Sequence, residues 1–415
     1  MTRSRRTVMP PVVLVPLLLV APATLPSIAA AFDFGLPSLE QWWRGGDPGG
    51  GTTFGDPLRG LTPEELERFD AGRDAFEEVE VAADGLGPVF NGTSCAGCHS
   101  VGATGGGSTV VETRFGTITD GVFDPLAELG GSLIQTDGIG PAGACTFVGE
   151  QVPREATIVA GRRTTPLFGL GLVDAVPDGT FLALARAQKF FQPATAGRPN
   201  IVTDLTTGRR AIGKFGWKGQ VPNLLQFSAD AYLNEMGITT PLFPDESCPQ
   251  GDCALLACDP LPGVDDDLED VELFRDFMTL LGPPPRLRST LATLQGSLLF
   301  DEIGCASCHV RTLATGPSDV AALRFRTFQP FSDFLLHDMG GLGDGVAQGR
   351  ATGREMRTAP LWGLRLLTTF LHDGRALSIE EAILAHDGQA RRARARFAAL
   401  PATKKARLLE FLGSL

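Results

Sequence analysis

Two short strings of cysteine and histidine have the spacing most suited to chemistry in this chain. Both read C-x-x-C-H, and their members are Cys95, Cys98 and His99 in the first, and Cys305, Cys308 and His309 in the second. In such a motif two thiols form thioether bonds to a porphyrin, and the adjacent histidine becomes an iron ligand. A zinc or thioredoxin-like site is the alternative. Because only five histidines occur in 415 residues, two C-x-x-C strings each followed by a histidine are improbable by chance. The sequence therefore predicts two covalently attached c-type haems.

The beginning of the chain has the pattern of an export signal. Arg3, Arg5 and Arg6 precede the apolar run 12–20, and three alanines follow at 29–31. The apolar run is shorter than the roughly 20 residues that a membrane helix needs. We therefore predict a signal peptide over residues 1–31 and a periplasmic or otherwise exported protein. We expect that the protein is not an integral membrane protein after the signal peptide is cleaved.

The other four cysteines are expected to form two disulfides in an oxidising compartment. They are Cys145, Cys248, Cys253 and Cys258. Three pairings are compatible with the sequence, and a redox-active thiol pair is the alternative.

Composition narrows the class of protein further. Asp and Glu number 48 against 36 Lys and Arg, which gives a formal charge of −12. This balance argues against nucleic acid as a partner. Hydrophobic residues make up 43% of the chain, which excludes a wholly disordered protein. The 51 glycines and 30 prolines predict long irregular loops between helices.

An internal repeat organises the chain. Arg-Thr-Thr-Pro-Leu-Phe-Gly-Leu at 163–170 matches Arg-Thr-Ala-Pro-Leu-Trp-Gly-Leu at 357–364, downstream of the first and second motif respectively. Helices are expected to begin at Thr62-Pro63 and to cover 268–281, 291–300 and 404–412. We predict a mainly α fold of two tandem cytochrome c-like haem domains. The segments are a flexible arm over 32–60, a first domain over 61–285 with an insertion at about 195–262, and a second domain over 286–415.

These residues resemble the di-haem oxidoreductase family of the bacterial di-haem cytochrome c peroxidase superfamily. The most specific strings are Phe-Gly-Trp-Lys at 215–218, Glu-Met-Gly-Ile-Thr at 235–239, His-Asp-Met-Gly at 337–340 and His-Asp-Gly-Arg-Ala at 372–376. The resemblance implies one haem in each domain. The second haem would relay electrons, and the first would bind the oxidant.

The resemblance also predicts the second axial ligands. The superfamily places the distal ligand of the second haem fourteen residues after the histidine of the His-Asp-Gly string, where this chain has His386. Met339 is the competing ligand, and a surface histidine is the other alternative. The matching position in the first copy is Phe191, which cannot bind iron. We therefore expect an open first haem under an apolar lid of Phe190 and Phe191, although Met236, Met278, Tyr232 or a lysine could close it.

The proton-transferring carboxylate of the peroxidases has no counterpart at its usual place. Asp174, Asp178 and Glu155 are the candidates for this role, with surface or helix-capping carboxylates as the alternative. Arg163 and Arg357 are predicted to pair with haem propionates, because guanidinium groups bind carboxylates with two parallel hydrogen bonds.

The resulting hypothesis is an exported di-haem peroxidase that reduces hydrogen peroxide. Its electrons would come from a small donor protein, either a c-type cytochrome or a cupredoxin. An oxygenase similar to the rubber oxygenases, with oxygen as substrate, and a non-catalytic electron carrier are the alternatives. Calcium between the domains is a further possible cofactor that the resemblance suggests, although the sequence has no diagnostic loop for it.

Overall fold

The computed structural model describes residues 53–415, so the predicted signal peptide and the arm up to residue 52 lie outside the described part. Its α-helices are α1 (Pro63–Glu77), α2 (Cys95–Cys98), α3 (Leu170–Asp174), α4 (Asp178–Phe191), α5 (Leu224–Met236), α6 (Glu269–Leu280), α7 (Leu291–Ile303), α8 (Ile379–Ala385), α9 (Arg391–Ala398) and α10 (Ala402–Leu412). The four helices expected from the sequence are all present, with ends that differ by no more than three residues.

The N-terminus of α1 shows why the sequence signal was sufficient there. The Thr62 hydroxyl accepts the Glu65 backbone N–H at 3.2 Å, and the Glu65 carboxylate accepts the Thr62 N–H at 2.8 Å. This reciprocal pair satisfies two donors that the helix itself cannot pair. Phe69 and Phe76 then lie on the buried face of the helix.

Two helix pairs repeat the same packing. Helix α1 packs on α6, and α7 packs on α10. A glycine lies at each crossing: a Cβ at Gly72 would be 2.4 Å from the Leu273 carbonyl oxygen, and one at Gly296 would be 2.1 Å from the Arg407 carbonyl oxygen. Each helix pair therefore approaches to a distance that a side chain would prevent. The division at about residue 286 into two domains stays a proposal.

Short antiparallel strands occupy much of the chain between the helices. They are β1 (Val89–Phe90), β2 (Val111–Thr119), β3 (Val122–Asp124), β4 (Asp137–Gly138), β5 (Gly140–Ala142), β6 (Cys145–Phe147), β7 (Ile158–Arg163), β8 (Asn200–Asp204), β9 (Arg209–Gly213), β10 (Leu313–Ala314), β11 (Thr327–Phe328), β12 (Leu336–Asp338) and β13 (Glu355–Arg357). Strands β3, β2 and β7 form a three-stranded sheet, with Val111 opposite Arg163 and Gly116 opposite Ile158. The other strands form two-stranded ribbons.

The expectation of a mainly α fold is therefore not confirmed. Of the 13 strands in the described residues, six lie in the segment 111–163, which the sequence analysis left as loops. These strands form by pairing between segments that are far apart in sequence, such as β2 with β7. No local sequence pattern predicts such pairing. The predicted long irregular loops are present around these ribbons.

The predicted insertion over 195–262 contains the β8–β9 hairpin, α5 and a disulfide-bonded loop. Cys248 is bonded to Cys253, and Cys145 is bonded to Cys258, which joins the insertion to strand β6. The two-disulfide prediction is confirmed, and the structure selects one of its three pairings. Cys95, Cys98, Cys305 and Cys308 take no part in either disulfide.

The largest hydrophobic cluster joins α1, α3, α4, α5 and α6 around Phe69, Phe181 and Phe277. A second cluster, around Phe300, Phe331 and Phe411, packs α7 against α10. Within residues 53–415, no helix has both the length and the apolar character to cross a bilayer.

Candidate haem sites

The second C-x-x-C-H motif begins where helix α7 ends. Gly304 ends the helix in a left-handed conformation with φ of 98°, and Cys305 follows at once. His309 then lies against Phe300 of α7, with ring centroids 6.4 Å apart. Its Nδ1 is 2.9 Å from the carbonyl oxygen of Phe331. The helix end and this hydrogen bond together hold the imidazole in place.

The first motif repeats the aromatic contact and the histidine hydrogen bond, although it does not follow directly on a helix end. Cys95 to Cys98 form helix α2, and the His99 ring lies 5.9 Å from Phe76 of α1. His99 Nδ1 is 3.0 Å from the carbonyl oxygen of Gly106, and the Thr165 carbonyl also lies close to the ring. Phe76 and Phe300 thus pack in the same way against the histidines of the two motifs.

The two motif histidines are neutral and have a defined tautomer. Burial lowers the pKa of His99 and of His309 to about 4. Because a carbonyl oxygen can only accept, Nδ1 carries the proton in both rings. Each Nε2 therefore keeps the lone pair that a metal ion requires.

His386 lies opposite His309. Their ring centroids are 6.5 Å apart, and His386 Nδ1 is 2.7 Å from the Ala382 carbonyl oxygen in helix α8. Burial lowers the pKa of His386, so this ring is also a neutral ligand candidate. A metal–nitrogen bond is about 2 Å long. The separation therefore fits one metal ion held between the two imidazoles.

A cavity of about 930 Å³ surrounds this pair of histidines. This volume is at the upper end of the roughly 300–1,000 Å³ typical of ligand sites. The second motif lines it through Cys305, Cys308 and His309. The apolar lining residues that suit a porphyrin face include Leu361, Leu364, Ile379, Ile383 and Leu412.

Two arginines from the sequence repeat line the same cavity. Burial lowers the pKa of Arg163 and of Arg357 to about 10. Arg357 donates to the Gly216 and Thr358 carbonyl oxygens, but Nε of Arg163 is buried without a hydrogen-bond partner. An orphaned buried guanidinium donor fits a carboxylate such as a haem propionate. The residues present therefore fit a haem at the second motif.

The remaining two histidines have a different environment. His337 Nε2 lies 3.0 Å from the Asp333 carboxylate, which raises the pKa of His337 well above its ordinary value although burial opposes this. His372 packs edge-to-face on Trp217, with ring centroids 6.2 Å apart, and lies 3.9 Å from Asp373. His337 Nδ1 also lies 3.2 Å from Gln389 Oε1, so both of its ring nitrogens have protein partners and His337 belongs to the supporting structure.

The alternative ligands in the sequence are placed as follows. Met339 lines the cavity, but His386 is the side chain whose ring is opposite His309. Met236 and Met278 lie in the hydrophobic core, and the Tyr232 hydroxyl donates to Glu80. All five histidines lie within the described residues 53–415, and there no second imidazole faces His99.

The carboxylates chosen from the sequence are engaged elsewhere. Lys214 Nζ lies 3.6 Å from Asp174 and 3.8 Å from Asp178. Asp174 also accepts the Leu224 N–H at 3.3 Å, and Asp178 accepts the Ile212 N–H at 2.9 Å. These contacts tie α3 and α4 to the β9–α5 region, and a proton-transfer role for either aspartate stays a prediction. The third candidate, Glu155, is paired with its exposed neighbour Arg154.

The two phenylalanines of the expected apolar lid lie at the end of helix α4. Phe190 and Phe191 are 78% and 68% exposed and pack edge-to-face, with ring centroids 4.8 Å apart. Phe191 lines the cavity of the second motif, whereas His99 does not. Helix α4 turns Phe181, Leu184 and Gln188 inwards, which directs its two terminal phenylalanines outwards. The apolar lid over the first haem, and with it the oxygenase alternative, stays a prediction.

A carboxyl pair that the sequence analysis missed lies beside the first motif. Glu112 of β2 and Glu235 of α5 share a hydrogen bond, and Arg114 Nε donates to Glu112 at 2.9 Å. Burial, and then the charge of Glu112, raise the pKa of Glu235. The Glu235 backbone carbonyl accepts the Gly92 N–H at 3.0 Å, and its charge contributes to the raised pKa of the Cys98 thiol, behind burial.

Helix α5 and strand β2 are 123 positions apart along the chain at these two residues, so no local pattern could have paired them. The only available signal was Glu235 itself, in a string quoted for the family resemblance. Within residues 53–415, no cluster of three or more histidine, cysteine or acidic side chains is arranged to hold a metal ion. The calcium ion stays a prediction.

The geometry defines a protein with two C-x-x-C-H sites, of which the second lies in a porphyrin-sized cavity. The chain belongs to the di-haem oxidoreductase family: the family model described as "Di-haem oxidoreductase, putative peroxidase" matches residues 149–415. The match includes the second motif and begins after the first. The chain is therefore an oxidoreductase of a haem-dependent family.

The solved structures that match the chain have low sequence identity and low structural similarity. Hydrazine synthase of Kuenenia stuttgartiensis is 14% identical, with 100% of both chains covered and a TM-score of 0.38. A MauG-like protein associated with microbial copper homeostasis is 16% identical over 88% of this chain and 94% of its own, with a TM-score of 0.37. A diheme peroxidase of Burkholderia thailandensis is 15% identical over 86% of each chain, with a TM-score of 0.39. No curated protein matches the chain.

Proposed function

We propose that this protein is an exported di-haem peroxidase that reduces hydrogen peroxide at the site of the first motif. The observation that carries the proposal is the unequal environment of the two motif histidines. His309 has His386 opposite its ring, whereas no imidazole within residues 53–415 faces His99. A site with two imidazole ligands suits electron transfer, and a site with a free coordination position suits reaction with an oxidant.

Named residues would hold the two cofactors. Cys95 and Cys98 would attach the first haem, and Cys305 and Cys308 the second. Their axial ligands would be His99 for the first, and His309 with His386 for the second. When bound, haem supplies an iron that can exchange single electrons. Arg163, with its orphaned Nε, would pair with a propionate of the second haem.

The protons have a separate source. Reduction of one hydrogen peroxide to two waters consumes two electrons and two protons, and two one-electron donor proteins are oxidised. The raised pKa of Glu235 allows it to hold a proton where an ordinary glutamate would be ionised. We therefore assign proton delivery to the Glu112–Glu235 pair, which lies beside the first motif.

Electron paramagnetic resonance of the purified ferric protein tests the proposal. We expect one high-spin and one low-spin signal, with the high-spin signal lost on addition of peroxide. His386→Ala should convert the low-spin signal to high-spin, whereas the control His372→Gln should leave it unchanged. Glu235→Gln should slow peroxide turnover by about 10²–10⁴-fold, the usual contribution of a general acid.

Three results would contradict the proposal. Two low-spin signals in the wild-type protein would favour a non-catalytic electron carrier. Consumption of oxygen with no response to peroxide would favour an oxygenase. Full peroxide turnover in Glu235→Gln would remove the carboxyl pair from the mechanism.

A further inference from the structure

The C-terminal part of this acidic chain carries a concentrated positive charge. Residues 388–409 contain seven Lys and Arg and no Asp or Glu, in a chain with a formal charge of −12. The seven lie on α9 and α10 and are Arg391, Arg392, Arg394, Arg396, Lys404, Lys405 and Arg407. We call this surface the basic rim. Such a segregation of charge is a physical argument about partners and not about fold.

The basic rim borders the cavity of the second motif. All four arginines of helix α9 line that cavity, together with His309 and His386. Helix α10 continues the surface, because the Lys405 ammonium lies 5.2 Å from the Phe397 ring of α9. Lys404 and Arg407 are exposed on α10 and do not line the cavity. The positive surface therefore extends beyond the arginines that a haem could contact.

Few of these charges are neutralised within the described residues. Asp387 pairs with Arg391 at 3.0 Å and with Arg394 at 3.6 Å, and Glu380 pairs with Lys405 at 3.7 Å. No acidic partner within residues 53–415 contacts Arg392, Arg396, Lys404 or Arg407. The rim thus keeps a net positive charge at its exposed face.

The opposite charge gathers elsewhere on the molecule. Helix α1 carries acidic side chains along its length, and α6, which packs on it, begins with Glu269, Asp270 and Glu272 after the acidic run 265–267. A negatively charged protein would be repelled by this region and attracted to the basic rim. The charge distribution would therefore orient such a partner toward the cavity that contains His309 and His386.

We propose that the basic rim is the docking surface for an acidic, one-electron redox protein that serves as the electron donor. The proposal rests on the peroxidase function proposed above and specifies the chemistry of its partner. Each docked donor would give up one electron and leave oxidised, so that two docking events supply one peroxide reduction. Exposed rim charges act mainly on the association rate, and their effect weakens as salt shortens the range of the field.

Binding to two redox proteins of opposite charge tests the docking surface. The haem-loaded ferric protein is titrated with oxidised acidic plastocyanin or with oxidised cationic cytochrome c, and affinity and association rate are measured from low to physiological salt. Because both partners are oxidised, binding is measured without turnover. We expect plastocyanin to bind more tightly at low salt, with an association rate that falls steeply as salt increases.

Charge-reversal variants identify the surface. Lys404→Glu with Arg407→Glu should slow plastocyanin association by about tenfold or more at low salt. The matched control, Arg209→Glu with Arg210→Glu, reverses two exposed arginines of β9 and should change it by no more than about twofold. Neither pair lines the cavity, so the visible spectrum of the haem-loaded protein should stay unchanged in both variants.

Three outcomes would overturn the proposal. In the first, the Lys404 and Arg407 reversal leaves plastocyanin binding as it is in the wild type. In the second, cytochrome c binds more tightly than plastocyanin. In the third, the protein binds phosphatidylglycerol vesicles through this rim but does not bind plastocyanin. Plastocyanin binding without any peroxide turnover would contradict the peroxidase function and leave the docking surface standing.

Discussion

The hydrogen-bond partner of each ring nitrogen decides what a histidine can do in this protein. His99, His309 and His386 each place Nδ1 against a backbone carbonyl oxygen, which keeps Nε2 free as a metal ligand. His337 instead places Nε2 against the Asp333 carboxylate, which raises the pKa of the ring although burial opposes this. A histidine beside a neutral carbonyl is therefore a candidate metal ligand, whereas a histidine beside a carboxylate has a structural role.

The buried Asp333–His337 pair should make stability depend on pH. The lowered pKa of Asp333 contributes stability that is present above its ordinary value of 3.8 and lost as pH falls through its folded value. The raised pKa of His337 contributes stability that is present below its ordinary value of 6.5 and lost as pH rises through its folded value. The contribution is therefore complete between pH 3.8 and 6.5.

Asp333→Asn should lower the free energy of unfolding by about 3–5 kcal/mol at pH 6, because it leaves a buried charge without a partner. The loss should be smaller at pH 10. Urea unfolding at the two pH values measures it. Asp338→Asn is the control, since its pair with Arg354 is exposed and should contribute no more than about 1 kcal/mol. An equal loss for Asp333→Asn at both pH values would contradict the assignment of charge.

At the scale of elements, the two motifs depend on the close crossing of paired helices. Gly72 and Gly296 allow α1 to approach α6 and α7 to approach α10. Phe76 and Phe300, four residues after these glycines, then contact His99 and His309. A substitution at either glycine should therefore displace the contacting phenylalanine ring, and through it the motif histidine.

Gly296→Ala should destabilise the protein by about 1–3 kcal/mol, because its Cβ would lie 2.1 Å from the Arg407 carbonyl oxygen. Gly179→Ala is the matched control in helix α4. No atom lies within 4 Å of a Cβ at that position, so the change should stabilise the helix by about 0.5–1 kcal/mol. Thermal unfolding of both variants measures the difference, and an unchanged melting temperature for Gly296→Ala would show that the helices can separate without cost.

At the scale of the whole molecule, one disulfide connects distant parts of the chain. Cys145–Cys258 spans 113 positions and ties the end of the insertion to strand β6, whereas Cys248–Cys253 spans five. Closing a longer loop removes more conformational freedom from the unfolded chain. The two bonds should therefore contribute unequally to stability.

Replacing Cys145 and Cys258 by serine should cost about 4–5 kcal/mol, against about 2 kcal/mol for the same change at Cys248 and Cys253. Urea unfolding of the two double variants, both measured without reductant, makes the comparison. Equal losses would show that strain or residual structure in the unfolded state outweighs loop length.

The sequence by itself determined the features that depend on neighbouring residues. Cys305, Cys308 and His309 lie within five consecutive residues, so the motif can be recognised without knowledge of the fold. The capping of α1 by Thr62 is equally local. Internal repetition and family resemblance added His386, whose ring the structure places opposite His309. Such local features can be predicted from sequence because covalent bonds keep neighbouring residues close together.

Only the tertiary structure decided which distant groups meet. It engaged Asp174 and Asp178 with Lys214, brought Glu112 to Glu235, and paired Cys145 with Cys258. It also formed β2 and β7 from segments that no local pattern marked as strands. These outcomes depend on contacts across tens to hundreds of residues, where burial and cross-chain pairing outweigh local preference.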